Sequence, residues 1–263
     1  MGLTLGVDIG TSSSKGVLVS ADGTLLAQAS RPHAVSSPHP GWFEHDAELT
    51  WWADFRELVT ELLAALAAMP GSPGPIDALA VSGIGPCLLP ADADGRPLRA
   101  AILYGVDTRA TAQIAEQTER LGGGIVLARC GSPLTSQAVG PKFGWLGEHE
   151  PKVAEATRRW FMASSYLAFR LTGEYVLDHH SASQSVPLYS LRTNAWIEQW
   201  CEQIAPGVEA YGLVRNLLDQ RSSSFGTLYN LETASALNLG LTDPRTLTPN
   251  LPRAVYAGMR LVF

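Results

Sequence analysis

The residue types that could do chemistry stand together near the start of the chain, in residues 3–15, LTLGVDIGTSSSK. An apolar run, residues 3–7, is dense enough for a buried strand and leads into Asp8. An acid at the carboxyl end of a strand faces the crevice where α/β proteins bind ligands. Gly10 allows a tight turn, after which the N–H groups and hydroxyls of Thr11, Ser12 and Ser13 can converge on phosphate oxygens. Asp8 suits Mg²⁺, held through water because that ion keeps most of its hydration shell. Lys15 adds a point charge. The stretch is not a Walker loop, which needs Gly-Lys-Ser/Thr entering a helix; here a second β run follows at 16–20. Gly-Thr-Ser-Ser is also ordinary turn composition, and an Asp after a strand is often a cap, so the loop by itself leaves both readings open.

Such a loop needs a sheet to hold it, and the pattern supplies one. Residues 16–20, an Ala-Asp-Gly turn at 21–23 and residues 24–30 read as second and third strands, with Gly23 suited to positive φ. Strand, phosphate turn, strand, Asp-Gly turn, strand resembles the opening of the actin-like, ribonuclease H-like ATPase fold, which implies an α/β domain with a mixed sheet and flanking helices. Asp46 can cap a helix over 47–68, with Leu49, Trp52, Phe55, Val59, Leu62, Leu63 and Leu66 near one face. Residues 76–82, IDALAVS, read as another buried strand, followed by Gly83-Ile84-Gly85-Pro86 and a second Asp-Gly turn. Asp107 reads as the cap of a helix over 108–121, and Gly122-Gly123-Gly124 as its stop and a linker. Further helices fit 164–172 and 195–204.

The chain has 263 residues, 46% hydrophobic and 17% charged, which is globular composition and room for one large domain or two small ones. A formal charge of −6 without any Lys/Arg cluster argues against nucleic acid or an anionic membrane as partner. Cys87, Cys130 and Cys201 have no metal spacing and are odd in number, which fits a reducing compartment. The first apolar run is too short for a signal peptide and has no basic region before it, and no stretch approaches the length of a membrane span. These features imply a cytoplasmic protein.

Residues 8–27, DIGTSSSKGVLVSADGTLLA, resemble the opening of the FGGY carbohydrate kinases, the family of xylulokinase, gluconokinase and glycerol kinase. Gly41-Trp42-Phe43-Glu44-His45-Asp46 with Trp51-Trp52 is similar to that family's Gly-Trp-x-Glu-x-Asp before a helix that begins with tryptophans. Residues 103–110 resemble its Leu-Trp-x-Asp-x-Arg-Ala with one residue more between aromatic and acid. Cys130-Gly131-Ser132-Pro133-Leu134, Lys142 with Trp145-Leu146 and Glu150-Pro151, and Leu171-Thr172-Gly173-Glu174 with Asp178 and Ser181-Ala182-Ser183 continue the series to about residue 207. The resemblance implies phosphoryl transfer from MgATP to a hydroxyl of a small sugar or polyol. It assigns Mg²⁺ to Asp8 and the ATP phosphates to Gly10, Thr11, Ser12, Ser13 and Lys15. It sets Ile84, Gly85 and Pro86 in a sugar-contacting segment, lets Asp107 accept sugar hydroxyls, and makes Trp42 either a sugar-facing aromatic or a lid over the core. Arg109 is expected in a structural ion pair. Xylulokinases carry Gln-Met-His-Gly after this strand and glycerol kinases an Arg-Glu pair. Pro86 falls where the xylulokinase histidine stands, which removes side-chain donors and puts xylulose in doubt.

The pattern then breaks. A full member of the family has a second domain that supplies a Gly-x-x-Asp segment with the catalytic base and a glycine-rich adenosine site, and neither is found here. The expectation is a first kinase domain at 1–207 and an atypical tail at 208–263, with no catalytic base assignable. A truncated, frameshifted or degenerate gene would each give this. The readings are a sugar kinase present as its N-terminal half, a non-catalytic remnant or binding module, and another actin-fold ATPase, against which residues 41–46 and 171–183 argue. An apolar face left bare by the missing domain makes self-association or a homodimer plausible.

Overall fold

The computed structural model of the chain describes residues 2–71, 74–209, 223–228 and 245–249. In β1 (Leu3–Ile9) the side chains of Leu3, Leu5, Val7 and Ile9 are buried, whereas Thr4 and Asp8 are exposed. The run read as a buried strand is thus buried on one face, because period-two alternation sends its polar residues to the other. β1 pairs antiparallel with β2 (Ser13–Ser20), and β2 antiparallel with β3 (Leu25–Pro32). Next come β4 (Glu44–His45), α1 (Ala53–Ala67) and β5 (Ile76–Gly83), which returns to pair parallel with β1. The sheet order β3-β2-β1-β5 is therefore mixed, with the hairpin turn at the carboxyl end of β1.

α1 lies close on β2: a Cβ at Gly16 would stand 2.9 Å from Leu62 Cδ1 and 3.4 Å from Leu58 Cβ. Asp46 caps the helical segment, accepting from the N–H groups of Glu48 at 2.9 Å and Leu49 at 2.8 Å. The segment does not start as an α-helix, however. Ala47–Trp52 forms a π-helical turn, one residue longer than an α-turn. That extra residue rotates the buried face. Trp51, Phe55, Leu58 and Leu62 enter the core, while Leu49 is 78% exposed and Leu63 44% exposed, against the uniform helical spacing read from sequence.

Beyond β5 follow β6 (Leu89–Ala91), β7 (Ala101–Ile102), α2 (Thr111–Leu121), α3 (Gly123–Cys130), α4 (Val139–His149), α5 (Pro151–Ala156) and β8 (Arg159–Phe161). Then come α6 (Ala163–Thr172), α7 (His179–Ser183), β9 (Tyr189–Ser190), β10 (Ala195–Trp196) and α8 (Glu198–Ile204). Only the first of the three glycines stops α2. Gly122, at φ 80°, caps it, and Gly123 and Gly124 open α3 instead of forming a linker. α6 packs on the same buried sheet face as α1 and meets it at Gly83, where a Cβ would lie 2.7 Å from that of Ala163. β5, expected to be buried, is exposed from Asp77 to Ala80, because β1 is its one ladder neighbour among the described residues and α6 covers only its end.

The chain forms two compact units, Met1–Gly212 with Arg260–Phe263, and Leu213–Met259. In the second, β11 (Ser223–Leu228) and β12 (Arg245–Pro249) pair antiparallel; the rest of the tail expected from sequence lies outside the described residues. The three cysteines are free and buried, and among the described residues no helix is long and apolar enough to cross a membrane.

Candidate functional site

The open face of the sheet carries a polar row. Register sets Ser30 on β3 opposite Lys15 on β2, Lys15 opposite Asp8 on β1, and Asp8 beside Ser82 on β5, and all four are exposed. Ser82 Oγ donates to Asp8 Oδ1 at 2.6 Å. Oδ2 of Asp8 accepts no hydrogen bond, and Lys15 makes no ion pair, among the described residues. A carboxylate with one oxygen steered and one open fits a hydrated Mg²⁺, which takes few protein ligands.

The turn itself is tight. Gly10 N–H donates to Ser13 O at 3.0 Å, and a Cβ on Gly10 would lie 2.5 Å from that oxygen. Glycine is required here for space. The N–H groups of Thr11 and Ser12 have no acceptor among the described residues, which leaves them for an anion. Ser14 turns inward, fully buried, and donates to Asp54 Oδ2 at 2.6 Å.

Behind the turn stands a group of side chains that pattern reading passed over. His33 follows β3, with Nδ1 2.7 Å from Asp54 Oδ2 and Nε2 3.1 Å from Gly10 O. Its backbone N–H donates to Ser12 O at 3.0 Å. The ring meets His45 edge-on at 5.0 Å, and His45 Nδ1 accepts from Trp51 Nε1 at 3.0 Å. Burial, and then the charge of His33, hold the His45 imidazole down at about 4. The one signal in the sequence was a polar Asp on the inner face of an amphipathic helix.

Trp42 and Asp107 come together, but around an arginine. Arg109 stacks over Trp42 at 4.3 Å and Trp145 at 4.9 Å, and pairs with Asp107 and Glu44. Glu44 also pairs with Arg99, which reaches Glu150 at 2.8 Å. Asp107 is 2% exposed, its Oδ2 accepting from Phe43 N at 2.7 Å and Oδ1 from Arg109 N at 3.1 Å. It does not cap α2, which starts at Thr111 with Ala110 in the cap position. The structure thus places Asp107 in a rigid frame joining the loops at 41–46 and 103–110, with Trp42 half-buried over it.

Of the segment after β5, Ile84 is buried and continues the ladder through its N–H to Ile9 O at 2.7 Å. Gly85 packs on the Tyr104 ring, where a Cβ would stand 3.4 Å away. Pro86 alone of the three reaches a cleft of about 420 Å³, whose polar walls are Ser132, Thr135, Gln137, Ser183 and Gln184. Nearby, Lys142 is 2% exposed and donates to Ser136 O at 2.7 Å and Ala138 O at 2.9 Å, and burial lowers its pKa to about 8. It holds the cleft-side loop and is not solvated.

A mixed sheet in this order, opened by a β hairpin and flanked by helices, is that of an actin-like, ribonuclease H-like ATPase domain. The chain belongs to the FGGY family of carbohydrate kinases: residues 3–240 match its N-terminal domain. It is 29% identical to the xylulose kinase of Bacillus subtilis (strain 168) over 236 residues, 87% of this chain and 46% of that enzyme. It is 32% identical to the glycerol kinase of Nocardia farcinica over 200 residues, 74% of this chain and 39% of that enzyme. The crystal structure of xylulose kinase from Rhodospirillum rubrum superposes with a TM-score of 0.75 at 29% identity, covering 94% of this chain and 48% of that one. The chain thus spans about half the length of the relatives it matches.

Proposed function

We propose that the chain forms the metal- and phosphate-binding wall of a carbohydrate kinase that moves a phosphoryl group from MgATP to a hydroxyl of a small sugar or polyol. The observation that carries this reading is the juxtaposition of Asp8, Lys15 and the Thr11 and Ser12 N–H groups on one open sheet end. Asp8 would orient hydrated Mg²⁺, which neutralises charge on the phosphates, and the turn N–H groups and Lys15 would hold phosphate oxygens. The sugar would meet the Pro86 cleft, whose hydroxyl and amide side chains suit a polyol. Trp42 and Asp107 serve it indirectly, by fixing loops through Arg109.

A second reading, a binding module without turnover of its own, is favoured by one observation. No carboxylate lines the cleft among the described residues, and Asp107, the nearest candidate base by sequence, is fully engaged. In support of a domain boundary near residue 207, α8 ends at Ile204 and the chain leaves through Gly207 at φ 77°; the family match continues to 240. A cytoplasmic site accords with three buried free thiols. Self-association accords with the exposed β5 strand and its Leu79.

Calorimetric titration with magnesium pyrophosphate tests the assignment of Asp8. Asp8→Asn is expected to bind at least tenfold more weakly with Mg²⁺ present and equally without it. Equal affinity in both conditions removes Asp8 from the metal site.

A further inference from the structure

His33 and Asp54 are the buried titratable pair that the proposed reaction leaves without a task. Their side chains are 8% and 13% exposed. Gly10 O is a carbonyl and can only accept, so His33 Nε2 must carry a hydrogen. Asp54 Oδ2 already accepts the Ser14 hydroxyl at 2.6 Å, which braces the carboxylate that His33 Nδ1 meets at 2.7 Å. The remaining titratable neighbour, His45, presents a ring whose Nδ1 accepts from Trp51 and carries no proton there.

We propose that His33, braced by Asp54, is a positioning residue that sets the hairpin turn at residues 10–13. It grips the turn twice, through Nε2 on Gly10 O and through its own backbone N–H on Ser12 O. The N–H and C=O of a planar trans peptide point opposite ways. Fixing the Gly10 carbonyl on His33 therefore turns the N–H of Thr11, in the same peptide, to the far side of the turn. The inference rests on the reading of this turn as the phosphate site for what the Thr11 N–H is used for, but not for the grip itself. A helix residue, Asp54, thereby acts on the turn through His33.

The test uses the full chain labelled with ¹⁵N, at neutral pH. Nε2 of His33 should show the shift of a nitrogen that carries a proton, and Asp54→Asn, which removes the brace at Nδ1, should lower the share of rings with the proton on Nε2. In His33→Leu the Gly10 amide, which closes the turn, should exchange with solvent at least tenfold faster while Leu5 and Val7 in β1 stay unchanged. An unprotonated Nε2 in the wild-type chain overturns the proposal whether or not the variant folds, and so does unchanged Gly10 exchange. Magnesium pyrophosphate added to the same samples separates the two ideas. Binding at least tenfold weaker in His33→Leu supports the link between grip and anion, and equal binding overturns it. A wild-type chain with the Nε2 proton but no pyrophosphate affinity overturns the phosphate reading alone.

Discussion

Asp8 and Asp107 bear the same group and do different work, and surroundings decide which. Asp8 ends a strand on an open face with one oxygen unclaimed among the described residues; Asp107 sits under Phe43 and Arg109 with both oxygens occupied. The same contrast separates His45 from His33. The His45 imidazole, held at about 4 against an ordinary 6.5, resists protonation because burial and the His33 charge oppose a second cation. The unfolded chain then binds a proton before the folded chain does. Stability from the neutral ring is complete above 6.5 and is lost as pH falls from 6.5 towards 4, as Trp51 loses its acceptor. Urea unfolding across that range should show the loss, and His45→Gln should flatten it. An equally steep acid limb in the variant contradicts the assignment.

At the scale of elements, the turn is only as rigid as the contact between α1 and the hairpin. Leu58 and Leu62 reach the bare backbone at Gly16, and the same helix brings Asp54 to Ser14 and His33. Gly16→Val inserts a branched side chain where a Cβ alone would stand 2.9 Å from Leu62. Overpacking of this kind costs about 1–3 kcal/mol. The expected result is a lower urea midpoint at unchanged slope, with weaker Gly10 amide protection because the helix is pushed off the turn. A variant as stable as the wild-type chain would mean that α1 is free to shift. The π-helical turn at Ala47–Trp52 serves the same contact, since it puts Trp51 under the sheet within reach of His45.

At the scale of the whole molecule, phosphoryl transfer needs groups on both sides of the nucleotide. The chain matches 46% of the Bacillus subtilis enzyme and 48% of the Rhodospirillum rubrum one. General-base assistance is worth about 10²–10⁴-fold, and an opposing wall supplies it along with exclusion of water. The chain by itself should therefore turn over sugars and polyols well below the usual range of about 1–10³ per second. A coupled assay across pentoses, gluconate, glycerol and erythritol checks this at several protein concentrations. Turnover inside that range would require a base among the residues of this chain.

The amino-acid sequence determined the hairpin opening, the Asp8–Lys15 stretch, the Asp46 cap and the family, because each is a local matter of period, turn chemistry or contiguous motif. Of the candidate site residues, Asp8, Gly10, Thr11, Ser12, Ser13 and Lys15 do fall together at one sheet end, since six of them in eight positions can hardly do otherwise. What is exposed, and what supports it, was decided only by tertiary contact. No spacing rule links His33 to Asp54, 21 positions away, or Arg109 to Glu44, 65 positions away. The π-turn overrode helical periodicity, and the exposure of β5 followed from which strands lie beside it, not from its own apolar residues. Local pattern fixes what a segment can form; packing between distant segments fixes which side chains are left free to act.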